Sequence, residues 1–209
     1  MKDYQFIAPF YDFLLGPFMR SIRRDVLNIV LRLQPESVLD VACGTGDQLR
    51  LLTENSINAV GVDMSEAMLR ICRKTNQASD CLLQDATAMA FPSERFALTM
   101  ISFALHETGW QTAAGILEEI HRVLKPSGHL LIVDYSDFRK TPFYVKQTIH
   151  MIEFLAGTRH FRNFRTYHLK GGLKALVSED RFYPVTSTHR ASRSIALQLF
   201  QRLEMEPHG

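Results

Sequence analysis

The chain has 209 residues, 46% hydrophobic and 22% charged, with a formal net charge of +2. This composition fits one globular domain spanning 1–209 with at most a small lid, and a charge too low to argue for nucleic acid by itself. No run approaches the roughly 18–20 apolar residues that a membrane-crossing helix needs, and the opening Met1–Phe6 does not read as a secretory leader.

Pro17–Leu33 reads as a leading helix. From residue 37 short apolar runs alternate with amphipathic stretches, the pattern of βαβ units and a parallel sheet. Ser37–Val41 reads as a first strand, Gly44–Gly46 as a turn and Asp47–Asn55 as a helix. Asn58–Val62 is a second strand. Ser65 is placed to cap a helix with Met68, Leu69, Ile71 and Cys72 on its apolar side. Cys81–Gln84 is a third strand, and Phe96–Phe103 a fourth, apolar enough to be covered on both faces. Thr112–Leu124 has helical spacing, Lys125–Gly128 is a turn, and His129–Val133 is a fifth strand. Helices near Phe143–Leu155 and Tyr167–Val177 precede two last strands near Tyr183–His189 and Ile195–Arg202. Residues 1–33 and 141–180 are the expected caps.

The chemistry concentrates in Val38-Leu-Asp-Val-Ala-Cys-Gly-Thr-Gly-Asp-Gln48. Gly44 and Gly46 let a strand turn sharply into a helix and let backbone approach a ligand. Asp63 follows the second strand, 19 residues after Gly44, where a carboxylate can bond both hydroxyls of a ribose. Asp85 lies 22 residues further on, within reach of an adenine amino group. A dinucleotide site wants a third glycine where Leu49 stands, and Asp47 at the helix start would repel a phosphate. S-adenosylmethionine (SAM) has no phosphate, and its ammonium suits an acid such as Asp40. The residues therefore favour SAM over NAD.

Asp40-x-Ala42-x-Gly44-x-Gly46, Gly61-x-Asp63-x-Ser65-x-x-Met68, Gln84-Asp-Ala86 and Arg122-Val-Leu-Lys-Pro-x-Gly128 resemble the successive motifs of class I SAM-dependent methyltransferases. Among these the chain is most similar to the ubiquinone/menaquinone biosynthesis C-methyltransferases, over about residues 4–134. The resemblance implies a Rossmann-like α/β fold: a seven-stranded sheet of order 3-2-1-4-5-7-6, strand 7 antiparallel, helices on both faces and a small helical cap. It implies that Tyr11, in Ile7-Ala-x-x-Tyr11-Asp12, closes over SAM. It also implies cofactor contacts from Asp40, Ala42, Cys43, Gly44, Gly46, Asp63, Met64, Asp85, Ala86, Ser102 and Phe103. Ala42 stands where many members have glycine. The product would be S-adenosylhomocysteine, and no metal is expected.

Several residues carry two readings. Met64 and Met68 either line an adenine pocket or pack a helix on the sheet. Cys43 matters for its small size or for its thiol. His106, just past the fourth strand, is a candidate base for the acceptor's proton or a loop histidine bonded to backbone. Phe10, Tyr11, Phe13, Phe18, Phe143, Tyr144, Phe154, Phe161 and Phe164 either wall an apolar pocket or form the core of the lid. Cys43, Cys72 and Cys81 are odd in number and lack Cys-x-x-Cys spacing, which argues against a disulfide framework or structural zinc and for a cytoplasmic, reducing setting. Residues 159–193 hold eight Lys/Arg against Glu179 and Asp180. This segment is a solvated face or a docking surface for an anionic substrate, a phospholipid surface or RNA. Three activities stay open: methyl transfer to a small apolar or aromatic acceptor, transfer to an anionic or macromolecular one, and non-catalytic binding of SAM. Nucleic acid is the less expected partner, peripheral membrane contact is compatible, and oligomeric state is not legible.

Overall fold

The computed structural model describes the backbone of residues 4–75 and 80–204, and the side chains in those ranges from Gly16 onward. A long helix, α1 (Tyr4–Leu33), leads into β1 (Val38–Val41), α2 (Asp47–Thr53), β2 (Ala59–Asp63), α3 (Glu66–Thr75) and β3 (Asp80–Leu83). β4 (Phe96–Ser102), α4 (Trp110–Val123) and β5 (Leu124–Tyr135) complete the central units. A single 3-10 turn (Phe138–Lys140), α5 (Phe143–Leu155), α6 (Thr158–Leu169) and α7 (Leu173–Leu176) form the insertion before β6 (Phe182–Arg190) and β7 (Ile195–Arg202).

The seven strands form one sheet of order β3-β2-β1-β4-β5-β7-β6, as the resemblance implied. β1 to β5 pair in parallel, and β7 runs antiparallel to both β5 and β6. β1 and the centre of β5, Leu130–Val133, are buried throughout, because helices cover both faces of the sheet. Deleting a side chain there, as in Leu131→Ala, should cost about 2–5 kcal/mol.

Local signals in the sequence place most ends correctly. The Ser65 hydroxyl accepts the Met68 N–H at 3.4 Å, the N-cap expected at the start of α3. Leu69 and Cys72 are buried as expected, but Ile71 is exposed: it lies on the outer flank of a ten-residue helix whose buried stripe is narrow. The Lys125–Gly128 turn is present as a bulge within β5. Phe96 pairs with Leu124 and Leu98 with His129, so four residues loop out opposite Ala97.

Three expectations are corrected. The leading helix does not begin at Pro17 but runs back to Tyr4, and the expectation of a helix over Tyr167–Val177 is displaced. α6 starts at Thr158 and stops at Leu169, because Gly171 and Gly172 both take positive φ and break the chain before the short α7. Cys72 and Cys81 are paired in a disulfide, with Cα atoms 6.5 Å apart, within normal reach for such a bond. It ties α3 to β3, which an odd cysteine count does not exclude, and it removes the cysteine argument for a reducing compartment.

Candidate functional site

The carboxyl ends of β1, β2 and β3 lie side by side, in register Asp40↔Gly61 and Gly61↔Cys81. β1 leaves the sheet through a left-handed run, Ala42 (φ 57), Gly44 (φ 56) and Gly46 (φ 74), before entering α2. That backbone explains why glycine is the common residue where Ala42 stands: an alanine carries a steric cost there. The Cys43 N–H donates to the Val62 carbonyl at 3.0 Å and lays the loop across β2. Gly61 makes room for it, since a Cβ at that position would lie 2.7 Å from Cys43 Sγ and 2.9 Å from its Cβ.

Asp63 fixes the same loop. Its Oδ2 accepts the Gly44 N–H and its Oδ1 the Ser65 N–H, each at 2.8 Å. Each oxygen thus spends one acceptor position on backbone and keeps another for a ligand hydroxyl. Above Gly44 a Cβ would meet no atom within 4 Å. Next to Asp63, Met64 is 74% exposed, an apolar side chain with nothing packed over it. The Gln84 N–H donates to the Asp63 carbonyl and brings the end of β3 alongside. There Asp85 Oδ1 accepts the N–H and hydroxyl of Thr87, which hold the carboxyl below its usual range. Ala86 is half-buried against the core.

Asp40 is the unusual member. It is buried, and burial, reinforced by the neighbouring charge of Asp63 and opposed by that of Arg23, pushes its carboxyl up to about 8. The Arg23 guanidinium is committed instead to Asp47, 3.0 Å away. A buried acid beside Asp63, with no ion pair of its own among the described residues, suits a cationic ligand. Burial, with Asp40 and Asp63 nearby, also pushes the Cys43 thiol up, so Cys43 is small filler rather than a thiolate nucleophile.

A second cluster lies past the ends of β4 and β5. Ser102 ends β4 half-buried, and Phe103 (φ 55) turns the chain so that Leu105 and His106 meet Asp134. Asp134 Oδ2 accepts the N–H groups of Leu105 and His106, at 3.1 and 3.3 Å, and Oδ1 accepts the Tyr135 N–H at 2.7 Å. His106 Nδ1 stands 2.6 Å from the same Oδ1. On its other side His106 Nε2 is 3.8 Å from Glu153 Oε1, which also receives the Tyr135 hydroxyl at 2.7 Å. From α6, His160 places Nε2 2.6 Å from Glu153 Oε2 and Nδ1 3.3 Å from Glu107. Burial alone would pull the His106 imidazole down. The Asp134 carboxylate outweighs it, with help from Glu153 and Glu107, and raises the group to about 9.

His106, Glu107, Tyr135, Glu153 and His160 form the polar end of a cavity of about 610 Å³. Its other walls are apolar: Phe18 and Met19 of α1, Phe103, and Val145, Ile149 and Ile152 of α5. Arg23 lines it too, so the cavity adjoins the glycine loop through the Arg23–Asp47 pair. The cap aromatics divide. Phe18 and Tyr144 face the cavity, Phe164 is fully buried core, and Phe143 and Phe154 are 75% and 59% exposed. The side chains of Phe10, Tyr11 and Phe13 lie outside the described residues.

Sequence reading missed Arg23, Glu107, Asp134, Glu153 and His160. One signal was available: Asp134 lies near the end of an apolar strand, much as Asp63 closes β2. Glu153 and His160 carry no such mark, because only the packing of α5 on α6 brings them to His106. In the basic 159–193 segment, Arg190 pairs with Asp25 at 2.8 Å and Arg181 with Glu118 at 3.5 Å, so part of the excess charge is neutralised.

A family model described as a methyltransferase domain matches residues 38–128. The demethylmenaquinone methyltransferase of Thermus thermophilus is 32% identical over 72% of this chain and 74% of its own length. The ubiquinone/menaquinone biosynthesis C-methyltransferase of Geobacter sulfurreducens is 33% identical over 66% of this chain and 58% of its own. The chain therefore spans well under the full length of some of these relatives. The crystal structure of the PH0226 protein from Pyrococcus horikoshii shares the fold, with a TM-score of 0.68 over 88% of this chain and 91% of that one at 18% identity. Among the described residues no helix is long and apolar enough to cross a membrane. The glycine loop between β1 and α2, with Asp63 closing β2 beside it, agrees with these likenesses: the chain belongs to the class I SAM-dependent methyltransferases, related to the quinone-biosynthesis C-methyltransferases, and its cofactor is SAM.

Proposed function

We propose that this enzyme methylates a small, largely apolar or aromatic acceptor bound in the 610 Å³ cavity. The observation that carries this reading is the cavity itself. It is walled by α1 and α5, it adjoins the cofactor loop at Arg23, and it has a polar end built around His106. A relative named for its action on demethylmenaquinone supports an acceptor of this kind.

When bound, SAM supplies an electrophilic sulfonium methyl open to in-line displacement. The chain's part is alignment and exclusion of water, and positioning alone can supply roughly 7–11 kcal/mol. Asp63 holds the ribose hydroxyls with the acceptor positions its two backbone bonds leave open. Asp85 takes the adenine amino group, and Met64 covers the ring. The backbone of Ala42, Cys43, Gly44 and Gly46 would hold the amino-acid portion, with Asp40 taking its ammonium. Ser102, Phe103 and Ala86 would add further contacts to the cofactor. His106, oriented by Asp134, meets the acceptor's ionisable group with Nε2.

Filling the cavity tests this. Ile152→Trp should leave SAM affinity within about twofold while lowering methyl transfer at least tenfold. Unchanged turnover would place the acceptor elsewhere.

A further inference from the structure

We propose that His106, Glu153 and His160 bind one divalent first-row transition-metal ion at the polar end of the acceptor cavity. The three residues come from the loop after β4, from α5 and from α6, and their ligand atoms all lie within 4.8 Å of one another. Bonds of roughly 2.0–2.1 Å at tetrahedral angles place such atoms about 3.3 Å apart. The observed spacings of 3.8 Å (His106 Nε2 to Glu153 Oε1) and 2.6 Å (His160 Nε2 to Glu153 Oε2) straddle that value, so sub-ångström side-chain shifts would close the site.

The arrangement behind the three ligands is what a metal requires. Metal-binding imidazoles almost always give their second ring nitrogen to a carboxylate or carbonyl, which fixes the ring. Here both do. His106 turns Nδ1 to Asp134, itself held by three backbone N–H groups, and His160 turns Nδ1 to Glu107. Glu153 is 4% exposed, receives the Tyr135 hydroxyl on one oxygen and has His160 Nε2 2.6 Å from the other. A carboxylate buried this deeply is costly unless positive charge faces it, and an ion held jointly with the two imidazoles would supply that charge. Two imidazoles and one carboxylate select zinc, iron, cobalt or manganese over magnesium and calcium, which prefer all-oxygen shells.

All three ligands line the cavity, so the open coordination positions face the acceptor. An ion there would occupy His106 Nε2 and meet an acceptor oxygen in its place, lowering that oxygen's pKa. That role rests on the acceptor reading above, whereas the binding itself does not.

The test uses the full chain, stripped by chelation and titrated with Co²⁺ under visible spectroscopy and with Zn²⁺ by calorimetry. One ion per chain at micromolar affinity or tighter is expected, with ligand-field bands that Zn²⁺ abolishes. Glu153→Gln and His160→Gln should each weaken binding at least tenfold. No stoichiometric binding by the wild-type chain would overturn the proposal, as would binding that both substitutions leave unchanged. The wild-type titration keeps the test decisive if a variant fails to fold. Methyl transfer to a small molecule without any metal binding would remove the metal and leave the acceptor reading standing. Stoichiometric binding without such transfer would do the reverse.

Discussion

Arg23 joins the two halves of the site: its guanidinium lies 3.0 Å from Asp47, which opens α2 behind the glycine loop, while the same side chain lines the acceptor cavity. The pair is partly exposed, so its direct worth to stability is about 0–1 kcal/mol. Its position matters more. Arg23→Ala should move the melting temperature by less than about 4 °C, yet raise both the SAM dissociation constant and the acceptor KM several-fold. Calorimetry and initial-rate kinetics on the same variant check this, and two unmoved constants would reduce the pair to a surface contact.

Asp40 predicts a proton balance. A carboxyl near 8 is mostly protonated at pH 7, and a bound ammonium favours its charged form. SAM binding at pH 7 should therefore release close to one proton, measurable by calorimetry in buffers of different ionisation enthalpy. Zero release, or uptake, would remove Asp40 from the ammonium.

The same group fixes a stability trend. Its folded pKa of about 8 lies above the ordinary 3.8. Its contribution is thus fully present below about pH 4 and lost as pH rises through about 8. Asp40→Asn does not titrate, so without ligand it should gain on the wild-type melting temperature between pH 5 and 8, by several degrees, and level off above. Saturating SAM should cancel that gain, because the variant cannot pair the ammonium.

Asp63→Asn keeps the size of the side chain but removes the charge behind its ligand bonds. Charge-assisted bonds of this kind are worth about 1.5–3 kcal/mol, so SAM should bind tens-fold more weakly. Circular dichroism should show the fold retained, since the amide oxygen still accepts one of the two backbone N–H groups. Unchanged affinity would contradict the ribose assignment.

Gly61→Ala tests the loop from beneath. The added methyl would press on Cys43 and on Leu49, and overpacking of this kind costs about 1–3 kcal/mol. Both the melting temperature and SAM affinity should fall. Loss of stability with full affinity would show that the loop relaxes elsewhere.

The donor side of this site was legible in the sequence because its parts are local. A glycine turn, and acids at or just past the ends of consecutive strands, are brought together by parallel pairing alone: Asp40 lies in β1, Asp63 closes β2 and Asp85 follows β3 by two residues. The acceptor side was not, for the opposite reason. His106 could be singled out, but Asp134, Glu153 and His160 reach it only through the packing of a cap whose helix ends depend on Gly171 and Gly172 taking positive φ. Cys72 and Cys81 show the same limit, since their spacing matches no motif and their pairing follows from α3 lying on β3.

The most direct measurement is transfer of labelled methyl from SAM by the purified chain to cell extract, separated into lipid, small-molecule, RNA and protein fractions. Label should appear in the lipid or small-molecule fraction, and both His106→Ala and Ile152→Trp should lower it at least tenfold while SAM binding persists. Label confined to RNA or protein, or unaffected by either substitution, would contradict a small acceptor held in the cavity.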